Sequence, residues 1–146
     1  MERRSVELSA YPNLIVVILG FKVRRLAGFR TLFGLGKGLR SIKTDIPDGL
    51  LADETFLFGL THIGIRQYWR DLDSLERFTK SEPHADWWRN IRKHGRGAGF
   101  WHESYRMQGG MEAIYIDMPK PMGFGRFAEQ KRPVGPYMSA RERLAA

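Results

Sequence analysis

The sequence contains no cysteine. That excludes disulfide frameworks, thiol nucleophiles, thiolate metal sites and thiol redox switching. Long apolar runs are also missing. The longest, Leu14 to Phe21, is eight residues, against the ~18–20 needed to cross a bilayer. Glu2 and Glu7 stand beside Arg3 and Arg4 in its upstream flank, and no small-residue cleavage motif follows. The expectation is a cytoplasmic chain with no secretory signal and no membrane span. Several catalytic motifs are absent too. Gly34-Leu-Gly-Lys-Gly38 has Thr31 where a phosphate loop requires glycine, and no G-x-G-x-x-G follows a strand. No two histidines stand four apart for helix-borne zinc, and there is no G-x-S-x-G elbow. Nucleotide-dependent chemistry, helix-borne zinc and hydrolase triads therefore have no support.

What is present suits one globular domain: 146 residues, 42% hydrophobic and 27% charged. Acid is scarce in one place. Seven basic residues and no acid lie between Lys22 and Lys43, and residues 119–146 carry a further net +4. With the whole chain at +8, the remainder is mildly acidic. A basic stripe and a basic tail fit a solvated helix face and a solubilising arm. They also fit a nucleic-acid accessory protein, although no RNP-like strand, zinc-finger spacing or strong helix-turn-helix pattern accompanies them.

Along the chain, Leu14 to Phe21 is rich in β-branched residues and reads as a strand buried on both faces. From about Arg25 to Thr44, Leu32, Leu35, Leu39, Ile42 and Ile46 recur at helical steps. Pro47-Asp-Gly49 is a turn. Leu50–Phe58 and His62–Trp69 read as a hairpin around Gly59-Leu-Thr61. Asp73 with Glu76 suggests a capping box for a short helix. A second helix opens at Ser81-Glu-Pro-His84 and puts His84, Trp87, Trp88, Ile91 and His94 on one broad face. Strands at Phe100–Met107 and Met111–Met118 follow.

The order β, α, β, β, α, β plus one strand is the split β-α-β pattern of a ferredoxin-like α+β sandwich. The expected division is a single domain over 1–124 and a basic C-terminal arm over 125–146. Helices cover one face of such a sheet, and a first strand apolar on both faces demands cover on the other. A homodimer, two sheets facing each other around a cavity, is the simplest cover.

Several blocks then carry a resemblance: Leu14 to Phe21, Gly49-Leu-Leu51, Gln67-Tyr-Trp-Arg70, Trp88-Arg89, Gly99-Phe-Trp-His-Glu-Ser-Tyr105 and Met111-Glu-Ala-Ile-Tyr-Ile-Asp-Met-Pro119. Across roughly positions 12–124 the chain resembles a small bacterial family labelled monooxygenase-like, within the dimeric α+β barrels. The resemblance implies a small-molecule oxidoreductase. Wider relatives of that fold include cofactor-free quinone-forming monooxygenases, haem-binding dehydratases and haem-degrading enzymes, so the cofactor is either none or haem.

Alternation on the strand around His102 puts Phe100, His102 and Ser104 on one face. A histidine facing a barrel cavity could serve as acid/base, or as axial ligand if haem is present. Its plain alternative is a hydrogen-bonded structural histidine. On the preceding strand His62, Gly64, Arg66 and Tyr68 share a face, opposite Ile63, Ile65 and Trp69. An apolar helix-facing side sends Arg66 and Tyr68 into the cavity, where they could hold a carboxylate or a phenolic or quinoid oxygen. His62 joins them as a further cofactor contact. The plain alternative for this set is an exposed strand face. His84, opening a helix one turn before Trp88, reads foremost as a surface residue and second as one lining the cavity mouth.

Three functions remain in view: an enzyme oxidising a planar apolar or aromatic molecule, a non-catalytic haem- or ligand-binding protein of the same fold, and a nucleic-acid accessory protein.

Overall fold

The computed structural model describes residues 10–82, 84–94, 97–107, 111–116 and 141–142. The elements run β1 (Ile15–Val23), α1 (Gly28–Thr44), β2 (Leu50–Gly59), β3 (His62–Trp69), α2 (Leu72–Lys80), α3 (His84–His94), β4 (Ala98–Arg106) and β5 (Met111–Ile116). They form one antiparallel sheet in the order β2-β3-β1-β4-β5. This is the ferredoxin-like fold, with a fifth strand added beside β4. No described helix is long and apolar enough to cross a membrane.

β1 takes the central place because its β-branched run suits a half-buried pleated surface. Ile15, Val17, Phe21 and Val23 point to the helix layer and are buried. Val16, Ile18 and Lys22, one residue out of phase, are only half-buried. The expected burial on both faces is thus met on one side of the subunit alone, because all three helices pack on the same face. There, Trp69, Leu72, Leu75, Phe78 and Ile42 close round Ile15 and Val17. Phe21, Ile65 and Phe100 form a second cluster, flanked by Leu32, Trp88 and Ile91. Leu19 touches both clusters.

α2 shows why these residues make a helix. Leu72, Leu75 and Phe78, at steps of three, are its buried stripe, each worth about 1.5–3 kcal/mol when fully buried. Its cap is Asp71, whose carboxylate accepts the Ser74 backbone N–H at 2.7 Å. Asp73, expected in that role, lies inside the first turn and pairs with Arg141. Asp71 wins because it is the extended residue just before the helix, where a carboxylate reaches the free N–H groups. That ion pair, with a second from Arg141 Nε to Glu76 at 2.9 Å, is what the structure describes of the basic arm. The rest of residues 125–146, with residues 117–124 and the turn Gln108-Gly-Gly110, lies outside the described residues, apart from Glu142.

Candidate functional site

Strand register sorts the candidate residues. Leu19, on the helix side of β1, stands opposite Ile65 on β3 and His102 on β4. Ile18, on the other side, stands opposite Arg66 and Glu103, and Val16 opposite Tyr68 and Tyr105. His62 lies opposite Lys22. The expected face of β3 is therefore the observed one, but His102 is not with it. It faces the helices, while Arg66, Tyr68 and His62 face the open side. The expected joint cavity of His102, Arg66 and Tyr68 is corrected on this point, because a sheet stands between them. The physical reason is parity: two antiparallel neighbours of one strand place on one face only residues in phase with it.

On the open side the polar groups engage one another. Trp101 donates its indole N–H to His62 Nε2 at 2.8 Å. The Phe58 ring lies 4.7 Å from that imidazole and 5.5 Å from the Trp101 indole, centroid to centroid. Glycines make this possible. A Cβ at Gly20 would stand 2.3 Å from Trp101 Nε1, and one at Gly64 2.5 Å from the Phe56 ring, so these rings lie on bare backbone. Burial, and secondarily Lys22, pushes the His62 pKa down. With Nε2 accepting from Trp101, that lone pair is spent. Arg66 is held by Glu54, with Nε at 2.7 Å, and its guanidinium lies 5.5 Å over the Tyr68 ring. Glu103, 2% exposed, accepts the Tyr105 hydroxyl at 2.6 Å.

The helix side is different. α3 begins at His84, and its ring is drawn inward among aromatics: Phe78 at 5.1 Å, Trp87 at 5.9 Å and Trp88 at 6.2 Å. His84 Nδ1 lies 2.9 Å from the Thr79 carbonyl oxygen. A carbonyl only accepts, so Nδ1 carries the hydrogen and Nε2 keeps a lone pair. Burial pushes the His84 pKa down; the Thr79 contact opposes this, and the nearby His102 adds to it. The shift favours the neutral imidazole, whose Nε2 is a proton acceptor. Trp88 meets Phe100 at 4.9 Å, and Phe100 lies 6.5 Å from the His102 ring. His102 Nδ1 and the Ser104 hydroxyl are buried on this same face, with Gln67, whose Oε1 accepts from Trp69 Nε1 at 3.3 Å.

His84 is the residue whose surface reading the structure corrects: its position after Pro83 at a helix start points to solvent, but Trp87 and Trp88, three and four residues on, put it on the helix face that docks.

The arrangement offers two imidazoles, one from α3 and one from β4, within an aromatic wall between helix and sheet. With Nδ1 held by the Thr79 carbonyl, His84 can take a proton at Nε2 and return it. A porphyrin does not fit here as the rings stand: Phe78, His84, Trp88 and Phe100 follow one another at contact distance, so a smaller flat ring enters only where one of them turns aside. No group of three or more metal-binding side chains occurs among the described residues.

A family model described as Monooxygenase af470-like matches residues 14–124. Among solved structures, the chain is similar to a protein from Shewanella oneidensis (10% identity, TM-score 0.55, covering 66% of this chain and 92% of that one). It is similar to a Bacteroides thetaiotaomicron protein described as a possible oxidoreductase (14%, 0.53, 66% and 99%). It is also similar to a mutant of SnoaB, a cofactor-independent oxygenase from Streptomyces nogalater (9%, 0.50, 64% and 91%). At such identities these likenesses concern the fold. No curated protein matches the chain.

Proposed function

We propose that this chain, which belongs to the Monooxygenase af470-like family, oxidises a planar, electron-rich aromatic molecule held between α3 and the sheet. The observation that carries the reading is the run of rings that leads from His84 through Trp88 and Phe100 to His102, with Phe78 and Trp87 beside His84. Aromatic faces suit a flat apolar ring, and few placed polar groups suffice to orient it. The likeness to a cofactor-independent oxygenase supports the same choice of chemistry.

His84 Nε2 takes a proton from a ring CH2 activated by neighbouring hydroxyl or carbonyl groups, and His102 steadies the enolate oxygen by a hydrogen bond. Dioxygen is the oxidant. Two C–H bonds break, one oxygen atom becomes the ring carbonyl, and the other leaves as water with both hydrogens. Four electrons pass from carbon to O2. No step runs through a haem. Arg66, Tyr68 and His62 take no part in the reaction.

The protein acts as a homodimer in which a second copy covers the open sheet face. Support comes from half-buried Val16, Ile18 and Tyr68 there and from exposed Phe58 beside them. Light scattering showing a stable monomer of about 17 kDa at micromolar concentration contradicts this part.

The test of the reaction is oxygen uptake with a planar hydroxyarene bearing a ring CH2. The rate is expected to fall in acid, at a pH below the ordinary histidine range, because burial lowers the His84 pKa. His84→Ala is expected to lose about 10²–10⁴-fold in rate per folded molecule. Equal rates in the variant overturn the assignment. Tight binding without turnover leaves the non-catalytic binding protein in its place.

A further inference from the structure

α1 has two apolar stripes where a helix on a sheet ordinarily has one. Its inner stripe includes Ile42, 4% exposed, and Leu32, which packs on the cluster of Phe21, Ile65 and Phe100. Its outer stripe begins just before the helix and runs Leu26, Phe29, Phe33, at steps of three and four. These side chains are 86%, 38% and 76% exposed. Arg25, Arg30 and Arg40 are exposed around them, and no acid occurs from Lys22 to Thr44. α2 shows what an ordinary outward face looks like: Asp73, Glu76, Arg77 and Lys80 engage one another or nearby charges.

We infer that the outer face of α1 docks on the surface of an anionic lipid bilayer, lying in the headgroup plane. Leu26, Phe29 and Phe33 enter the acyl boundary, while the arginines extend to lipid phosphates. Charge complementarity favours an anionic surface, and an acid-free stretch of this length removes the repulsion a mixed face would meet. Nucleic acid is the lesser fit. Single-stranded binding uses a groove that tracks the backbone, whereas this stripe lies on a convex helix and begins with an aliphatic residue. α1 also lies in the helix layer, away from the sheet face assigned to the second copy, so the surface stays open in the dimer. The inference does not depend on the proposed reaction.

The experiment is co-sedimentation of the full chain with vesicles of phosphatidylcholine alone and of phosphatidylcholine with phosphatidylglycerol. The protein is expected to pellet with the anionic vesicles and not with the neutral ones, and to come off as salt rises. Leu26→Ser with Phe33→Ser is expected to lower partition about tenfold or more. Arg25→Gln with Arg30→Gln is expected to lower it as well. All four positions are exposed, so circular dichroism and melting temperature should stay unchanged, which separates lost docking from lost folding. No pelleting with anionic vesicles overturns the inference, and so does equal pelleting with neutral ones. Undiminished binding after Leu26→Ser with Phe33→Ser also overturns it, since charge alone then suffices. Preference for a single-stranded oligonucleotide over the vesicles, abolished by the arginine variant, assigns the face to nucleic acid instead.

Discussion

The two faces of the sheet carry similar residue types and use them differently. Each has a histidine whose pKa is pushed down, foremost by burial. On the open face His62 spends its Nε2 lone pair on Trp101, and Arg66 spends its charge on Glu54. On the helix face His84 uses Nδ1 to fix its ring on Thr79, which leaves the lone pair on Nε2. A satisfied polar group is a structural element. One anchored at one end and available at the other is a reagent.

The comparison can be broken most heavily at its anchor. Trp69, fully buried on the helix face, touches Phe78, the ring that backs His84. Trp69→Ala is expected to cost about 3–5 kcal/mol in denaturant unfolding; a loss under about 1 kcal/mol, typical of surface substitutions, shows that this face is not the core. On the open face Gly20→Ala drives a Cβ into the Trp101 indole. It is expected to cost about 1–3 kcal/mol and to shift the Trp101 fluorescence contribution, while an unchanged melting temperature contradicts the close approach.

A smaller effect lies in pH. Both depressed histidines bind protons more readily in the unfolded chain. Stability is therefore fully present above about pH 6.5 and is lost as pH falls through the folded values. Melting temperature between pH 7.5 and 5 is expected to fall, and His84→Gln and His62→Gln are each expected to flatten that fall; a slope unchanged in both argues against the burial described. The smallest effect is expected of Arg66→Gln. Its pair with Glu54 is exposed, so stability and oxidation rate should stay as they are. A lost rate there would move the chemistry to the open face.

Much of the fold was legible from periodicity. β3 has its apolar residues on alternate positions, which identified both its bounds and its helix side. β4 withheld its facing, since aromatics stand on both sides of it: Phe100 on one, Trp101 and Tyr105 on the other. Alternation paired His102 with Ser104 correctly but could not say which way the pair looks. Only the register with Leu19 decides this, and register joins residues more than eighty positions apart. The role of His84 stayed hidden for a similar reason. A helix start is ordinarily exposed, and the rings that enclose this one come from α2 and from its own following turn. Asp71 outcompeted Asp73 as cap by geometry two residues wide.

The aromatic ligand of the proposed reaction enters the helix side of the sheet, and the four tryptophans of the chain report its place. Trp87 and Trp88 stand beside His84 on the helix side, whereas Trp101 lies on the open face with His62. In a nitrogen–proton correlation spectrum each indole N–H gives one peak. Titration with the planar hydroxyarene under argon is predicted to move the Trp87 and Trp88 peaks and leave that of Trp101 in place. Movement of Trp101 with Trp87 and Trp88 unmoved would contradict the account.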